Sequence, residues 1–344
     1  MLDIAPEALM HSFEGDSADQ VWQAAAAAFE QQQHGRNQPS RDGDTSEILH
    51  ASFVIHDPRQ RWVVTRRPSI NPAFAIAEIV WILRGRQDSA FLNYWNPKLP
   101  RFAGEGPEYD GAYGYRLRHQ FGMDQIERAY SALLSAPDSR QIVLQIWDPR
   151  TDLPSSSGIP ASPDVPCNVC SLLKVREGRL EWAQIVRSND LFLGVPYNFV
   201  QFTSLQEVLA GWLGLELGSY LQFSDSLHVY HRDFPRLAQP RRDITAVNTD
   251  TLMLPKLDSD EAFADLEADM LMLMTESLTD VCLKRAACRR RPPAFQNFIL
   301  VLAAQAARKK GWTGAVKEML SECSNPTFKA LCAHWYQTRV LTNT

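Results

Sequence analysis

Apolar and polar positions recur along this chain with two periods, and the switches between them predict most of its elements. Residues 18 to 33 (ADQVWQAAAAAFEQQQ) are rich in Ala and Gln and free of Gly and Pro, which predicts a helix. A polar break, HGRNQPSRDGDTSE, follows it. From Ile48 to Thr65 short β-branched runs predict two strands, with PRQR at 58 to 61 as a hairpin-like turn. Pro72 to Leu83 (PAFAIAEIVWIL) starts with a helix-opening Pro and is apolar almost all round. That pattern predicts a buried helix, so its lone acid, Glu78, requires a reason.

Further strands are predicted at Arg140 to Trp147, Asn168 to Val175 and Arg179 to Val186, with EGR as the tight connection between the last two. The Pro/Ser loop SSSGIPASPDVP delivers Cys167 to a strand start. Phe199 to Trp212 reads as a long buried helix closed by Gly214. Strands mixed with long buried helices predict an α+β fold with one main sheet. Beyond about residue 240 the strand pattern vanishes, and EAFADLEADMLMLMTESL and PPAFQNFILVLAAQAARKK predict helices divided at Pro292-Pro293. The expected organisation is therefore a catalytic unit over 1–240 and a helical extension over 241–344.

Composition narrows the function. A net charge of -5 gives the molecule no bulk attraction for nucleic acid or anionic membrane, so any phosphate must be held by a local pocket. No stretch approaches the roughly 20 uninterrupted apolar residues of a membrane span, and the first residues, MLDIAPEALMHSFEGD, do not read as a secretory signal. The six cysteines, at 167, 170, 282, 288, 323 and 332, are too sparse for a disulfide scaffold, which points to a reducing cytoplasm.

Cys167 and Cys170 form a C-x-x-C, but SLLKV after them reads as strand rather than the helix start a redox dithiol wants. Positions three apart on a strand face opposite ways, and no second ligand pair completes a zinc site, so no metal is expected. One of the two thiols is a candidate nucleophile. Arg187 to Asn198 (RSNDLFLGVPYN) sets five polar side chains around apolar anchors, the make-up of a ligand-binding loop, and Arg187 with Ser188 suits a phosphate.

Together these segments resemble the thymidylate synthase family. Pro166-Cys167, RSNDLFLGVPYN and LHVY at 227 to 230 occur in the family's order and at about its separations. Arg41-x-Gly43, AEIVWILRG at 77 to 85, GAYG at 111 to 114 and SRQIVLQIWD at 139 to 148 extend the match to roughly residues 40 to 232.

The resemblance implies a dimeric enzyme that moves a one-carbon unit from methylenetetrahydrofolate to carbon 5 of a pyrimidine nucleoside monophosphate. Carbon 5 is a poor nucleophile until a thiolate adds to carbon 6, and Cys167 matches the family nucleophile. Arg187 resembles the arginine that favours the thiolate and holds phosphate. Ser188, the mobile-loop Arg41 and Arg140, donated across a dimer interface, match the other phosphate ligands. Glu78 resembles the glutamate that organises water and shuttles protons, the bland alternative being a core ion pair with Arg. Tyr113 matches the tyrosine near the proton leaving carbon 5, Asp190 the aspartate on the folate pterin, and His228 and Tyr230 the sugar-hydroxyl ligands. Asn198 offers an acceptor to uracil N3–H and a donor to O4, where cytosine presents the opposite pattern.

The departures bear on the second half of the reaction. Asn168 follows the nucleophile where the family usually has His, Val186 replaces a usual Gln, and Gln141 a common Arg. The C-terminal tail that closes over folate has no recognisable counterpart. Methylation of dUMP stands slightly ahead on Asn198 and on its frequency in the family, with 5-hydroxymethylation of dUMP, dCMP or CMP close behind. A different class is a non-catalytic nucleotide- or RNA-binding relative, with KRAACRRR at 284 to 291 as its basic patch, although no aromatic residues interleave it for stacking.

Overall fold

The computed structural model describes residues 10–31, 36–40, 42–237 and 244–340. Its centre is a seven-stranded mixed sheet in the order β1-β3-β7-β6-β5-β4, with β2 alongside β3. The strands are β1 (His11–Gly15), β2 (Arg36–Gln38), β3 (Thr45–Ile55), β4 (Val143–Gln145), β5 (Asn168–Arg176), β6 (Arg179–Asp190) and β7 (Glu216–Tyr230). β6 runs parallel to β7 and antiparallel to β5, so the ends of β6 and β7 lie side by side. The sheet and its helices are the α+β architecture that the hydrophobic pattern predicts.

Three predicted elements change. Residues 56–65 form no second strand. The Asp19 carboxylate accepts from the N–H groups of Val64 and Thr65 at 2.8 and 2.9 Å, so the β-branched run is satisfied by a side chain instead of a ladder. The segment 140–147 keeps only the three residues of β4 as strand. The RSND segment is not a loop: Arg187 to Asp190 end β6, and the next helix begins at Val195, with Pro196 in its first turn where a missing N–H costs nothing. EGR does form the tight hairpin, because Glu177 and Gly178 both take the left-handed conformation (φ 51° and 73°) that a two-residue turn between twisted strands requires.

The sheet faces differ. Trp182, Gln184 and Val186 of β6 point inward and are buried on the face covered by the helix Val195–Leu213. The alternate residues point outward: Val54, Leu221, Ala183 and Leu172 form one half-exposed row across four strands, and Phe223, Ile185 and Cys170 another. Period-2 alternation is thus kept, but the outer face stays apolar where solvent would favour polar residues.

The C-terminal helices, Lys256–Leu273, Asp280–Cys288, Pro293–Lys309, Thr313–Glu322 and Pro326–Val340, continue this core. Aromatic rings run from Phe263 through Phe295, Phe298 and Phe328 to Trp62, with centroids 4.8 to 6.1 Å apart. Asn325 Nδ2 donates to Asn248 Oδ1 at 2.6 Å and to Asp250 Oδ2 at 2.7 Å, tying the last helix to the segment after β7.

Candidate functional site

The helix Pro72–Leu83 buries every residue but one, and that one is Glu78. Its Oε2 is nevertheless shielded from solvent and has no hydrogen-bond partner among the described residues. Burial pushes its carboxyl up to about 8, opposed in part by a hydrogen bond from Gln201 of the helix Val195–Leu213. No ion pair reaches Glu78 among the described residues. Glu207, in the helix Val195–Leu213, is by contrast a fully buried carboxylate that does pair with an arginine, Arg61.

Tyr113 faces this acid. Gly114 packs so close to the Ile82 backbone that a Cβ there would collide, and this contact brings Tyr113 against the Glu78 helix. Burial raises the Tyr113 hydroxyl well above its ordinary value, and the neighbours acting on it are Cys167, Asn168, Asp164 and Glu78. Three stretches separated widely in sequence, carrying Glu78, Tyr113 and the pair Cys167-Asn168, therefore meet at one place.

Cys167 lies just before β5, held from behind. Arg187 Nε and Nη2 donate to the carbonyls of Pro166 and Val165 at 2.9 and 3.1 Å, its own N–H donates to the Cys167 carbonyl at 2.9 Å, and its guanidinium stacks on Trp147 at 5.2 Å. The guanidinium thus fixes the backbone that carries the thiol. Strand parity does not relate Cys167 to Cys170, because Cys167 is outside the strand and a bulge between Asn168 and Cys170 resets the alternation. Cys170 nonetheless faces the outer row beside Ile185, and Asn168 and Ser171 both face inward.

The end of β6 carries the rest. Ser188 is half-exposed in the β6–β7 ladder, paired with Ser226. Asp190 is opposite His228, and its Oδ1 accepts from the N–H groups of Phe192 and Leu193 at 2.7 and 3.0 Å, turning the chain into the helix. Burial raises its carboxyl, with those bonds and His228 opposing. His228 meets Tyr230 edge-on at 5.5 Å, and Arg232 stacks on the other ring at 4.0 Å. Arg232 also holds Asp42 at 2.6 Å, lowering that carboxyl. Arg41 itself lies outside the described residues. Arg140 stands exposed before β4 and joins none of these residues within the chain, among the described contacts.

Asn198, 6% exposed in the first turn of its helix, accepts from Asn168 Nδ2 at 3.3 Å and donates to Asn189 Oδ1 at 3.0 Å. One lone pair and one N–H remain for a ligand, the pair of groups that a uracil edge requires. Of the amides around it, sequence reasoning noted Asn168 only as a departure after the nucleophile and Asn189 only as one of the polar side chains of RSNDLFLGVPYN, and it missed Gln184, whose inward strand position was the available signal. It also missed Arg66, buried over the Phe192 ring at 4.3 Å, with Nε and Nη1 unpartnered among the described residues and its basicity lowered by that burial. No group of three or more metal-ligating side chains occurs among the described residues.

A thiol, a buried acid, a tyrosine and a base-reading amide in this arrangement coincide with a match of residues 29–275 to the thymidylate synthase family model. The chain belongs to the thymidylate synthase family. Relatives within it include the deoxyuridylate hydroxymethyltransferase of Bacillus phage SP01, 34% identical over 242 residues, or 67% of this chain and 62% of the relative. Those of Pseudomonas phage M6 and Delftia phage PhiW-14 are 32% and 30% identical, over 62% and 57% of this chain and 60% and 56% of theirs. The chain spans about 60% of the length of these thymidylate synthase relatives.

Proposed function

We propose that this protein transfers a one-carbon unit from methylenetetrahydrofolate to carbon 5 of dUMP and releases a 5-hydroxymethyl nucleotide. The observation that carries the reading is the meeting of Cys167, Tyr113 and Glu78 with Asn168, whose amide bonds the base-reading Asn198. Asn198 reads uracil, the Cys167 thiolate adds to carbon 6, Tyr113 lies by the proton leaving carbon 5, and Glu78 moves protons through water. Arg187, Ser188, Arg41 and a partner's Arg140 hold the phosphate, and His228 and Tyr230 hold the sugar. When bound, the folate would supply carbon at the formaldehyde level and leave as tetrahydrofolate, with water supplying the hydroxyl of the product. Asp190 would hold its pterin, and the unpartnered nitrogens of Arg66 beside Asp190 fit a polar ligand there.

The names of the phage relatives put hydroxymethylation ahead of methylation, reversing the order drawn from Asn198. Methylation remains the second reading, favoured by the helices of the 241–344 extension if they close over folate. The apolar outer face of the sheet supports a homodimer, since Leu172, Ile185, Leu221 and Phe223 would be covered by a second copy. Six cysteines outside any disulfide among the described residues suit a reducing cytoplasm, and no helix among the described residues is long and apolar enough to cross a membrane. An RNA-binding role loses support because Lys284, Arg289 and Arg291 of the basic patch are paired with Asp280, Asp265 and Asp269.

The test weighs the product made from dUMP and labelled methylenetetrahydrofolate while following dihydrofolate by absorbance. A hydroxymethyl product without dihydrofolate is expected. A methyl product with equimolar dihydrofolate puts methylation first. Cys167→Ser should lower kcat by at least about a thousandfold, and Cys170→Ser should keep most activity. The reverse would move the nucleophile.

A further inference from the structure

Asn198 can discriminate uracil from cytosine only if its amide is held one way round. A carboxamide turned end for end keeps its shape but exchanges donor for acceptor, and it then matches cytosine instead. The direction must come from a partner that cannot itself reverse.

The inner face of the sheet contains such a partner at the end of a relay. Asn198 Oδ1 accepts from Asn168 Nδ2 at 3.3 Å, and Asn168 Oδ1 accepts from Gln184 Nε2 at 2.9 Å. Gln184 Oε1 in turn accepts from Ser171 Oγ at 2.6 Å and from the Trp182 indole N–H at 3.2 Å. On the other side Asn198 Nδ2 donates to Asn189 Oδ1 at 3.0 Å, and Asn189 Nδ2 donates to Ser224 Oγ at 2.9 Å. Gln184, Asn168, Ser171 and Ser224 are fully buried, and Trp182 and Asn189 are 2% exposed, so water is not there to compensate a reversal.

The hydroxyls of Ser171 and Ser224 can donate or accept and impose no direction. An indole N–H can only donate. Trp182 therefore fixes the oxygen end of Gln184, Gln184 fixes Asn168, and Asn168 fixes Asn198. We infer that Trp182 and Gln184 are positioning residues for base selection, setting the amide of Asn198 to accept uracil and reject cytosine without touching the nucleotide. This rests on the reading that Asn198 contacts the base edge.

The test measures equilibrium binding of dUMP and dCMP to the full chain by calorimetry, for Trp182→Phe, Gln184→Glu and Asn198→Asp. Trp182→Phe removes the fixed donor while keeping a ring in place, and the dUMP:dCMP affinity ratio should fall about three- to tenfold. Gln184→Glu has nearly the same shape, but a carboxylate accepts from Asn168 and draws the whole relay round. Its ratio should fall more than about tenfold. A merely structural role would weaken both nucleotides equally. If Asn198→Asp changes the ratio while both relay variants leave it within twofold of the parent, the relay is overturned and the base reading stands. If Asn198→Asp leaves the ratio unchanged, the base reading itself has failed. The two relay variants break different links, so either one that folds decides the matter. Asn168 is not the test position, because it also bonds Tyr113.

Discussion

Glu78 and Glu207 each interrupt a helix that is otherwise packed on nearly all sides, yet their surroundings are opposites. Glu207 is fully buried and satisfied: Arg61 pairs with one oxygen, Thr251 Oγ1 donates to the other at 2.9 Å, and Arg61 also donates to Ser204 at 2.7 Å. Glu78 sits at the one opening of its helix with Gln201 as its bonding neighbour and an oxygen left without a partner. The first arrangement joins elements, tying the segment before the Glu78 helix to the central helix and to residue 251. The second holds a carboxyl in a costly state that no packing need explains. A buried acid with both oxygens bonded is structural, whereas one kept short of partners beside a thiol is placed for chemistry.

The comparison is broken most directly by neutralising each acid. Glu78→Gln should lower kcat by about 10²–10⁴, the usual worth of a positioned proton-transfer group, while the melting temperature at neutral pH does not fall and rises somewhat above that of the parent. Turnover within a few-fold of the parent would show that the orphan oxygen has no catalytic part. Glu207→Ala should do the reverse. It strands the buried Arg61 guanidinium, which costs about 3–5 kcal/mol of folding stability, and should leave the dUMP:dCMP preference of the surviving folded fraction unchanged. Denaturant unfolding gives the first quantity, and ligand binding the second. A stability loss below about 1 kcal/mol would mean that Arg61 finds other partners.

Glu78 was legible in the sequence because a single acid stood in an otherwise apolar helical run. The EGR hairpin was legible because its turn chemistry is local. The Glu207 pair was not, since Arg61 falls in PRQR, which reads as a turn, and its partner lies 146 residues further along the chain. The amide relay was hidden for the same reason: Asn168, Gln184 and Asn189 come from two strands and Asn198 from a helix, and only pairing brings them together. Local periodicity does not encode long-range hydrogen bonds. The bulge at Asn168 shows the limit from the other side, because one extra residue cancels a strand-parity argument that was sound in principle.

The smallest expected effect is on the pH dependence of stability, and it separates the two acids without any substrate. Burial raises the Glu78 carboxyl from an ordinary 4.5 to about 8, so the folded protein keeps a proton that the unfolded chain releases. Below about pH 4.5 both states are protonated and the site imposes no penalty. As the pH rises from there towards 8 the unfolded state ionises first, binds fewer protons than the folded state, and folding stability falls; above 8 both are ionised and the slope ends. With the side chain partly open to solvent, the total loss is of order 1–3 kcal/mol. Glu78→Gln has no proton to release, so its unfolding free energy, measured by denaturant at several pH values, should lack this decline, and near pH 9 the variant should be more stable than the parent. Parallel curves for the two proteins would mean that the Glu78 carboxyl is ionised at neutral pH, and the contrast with Glu207 would then lose its electrostatic basis.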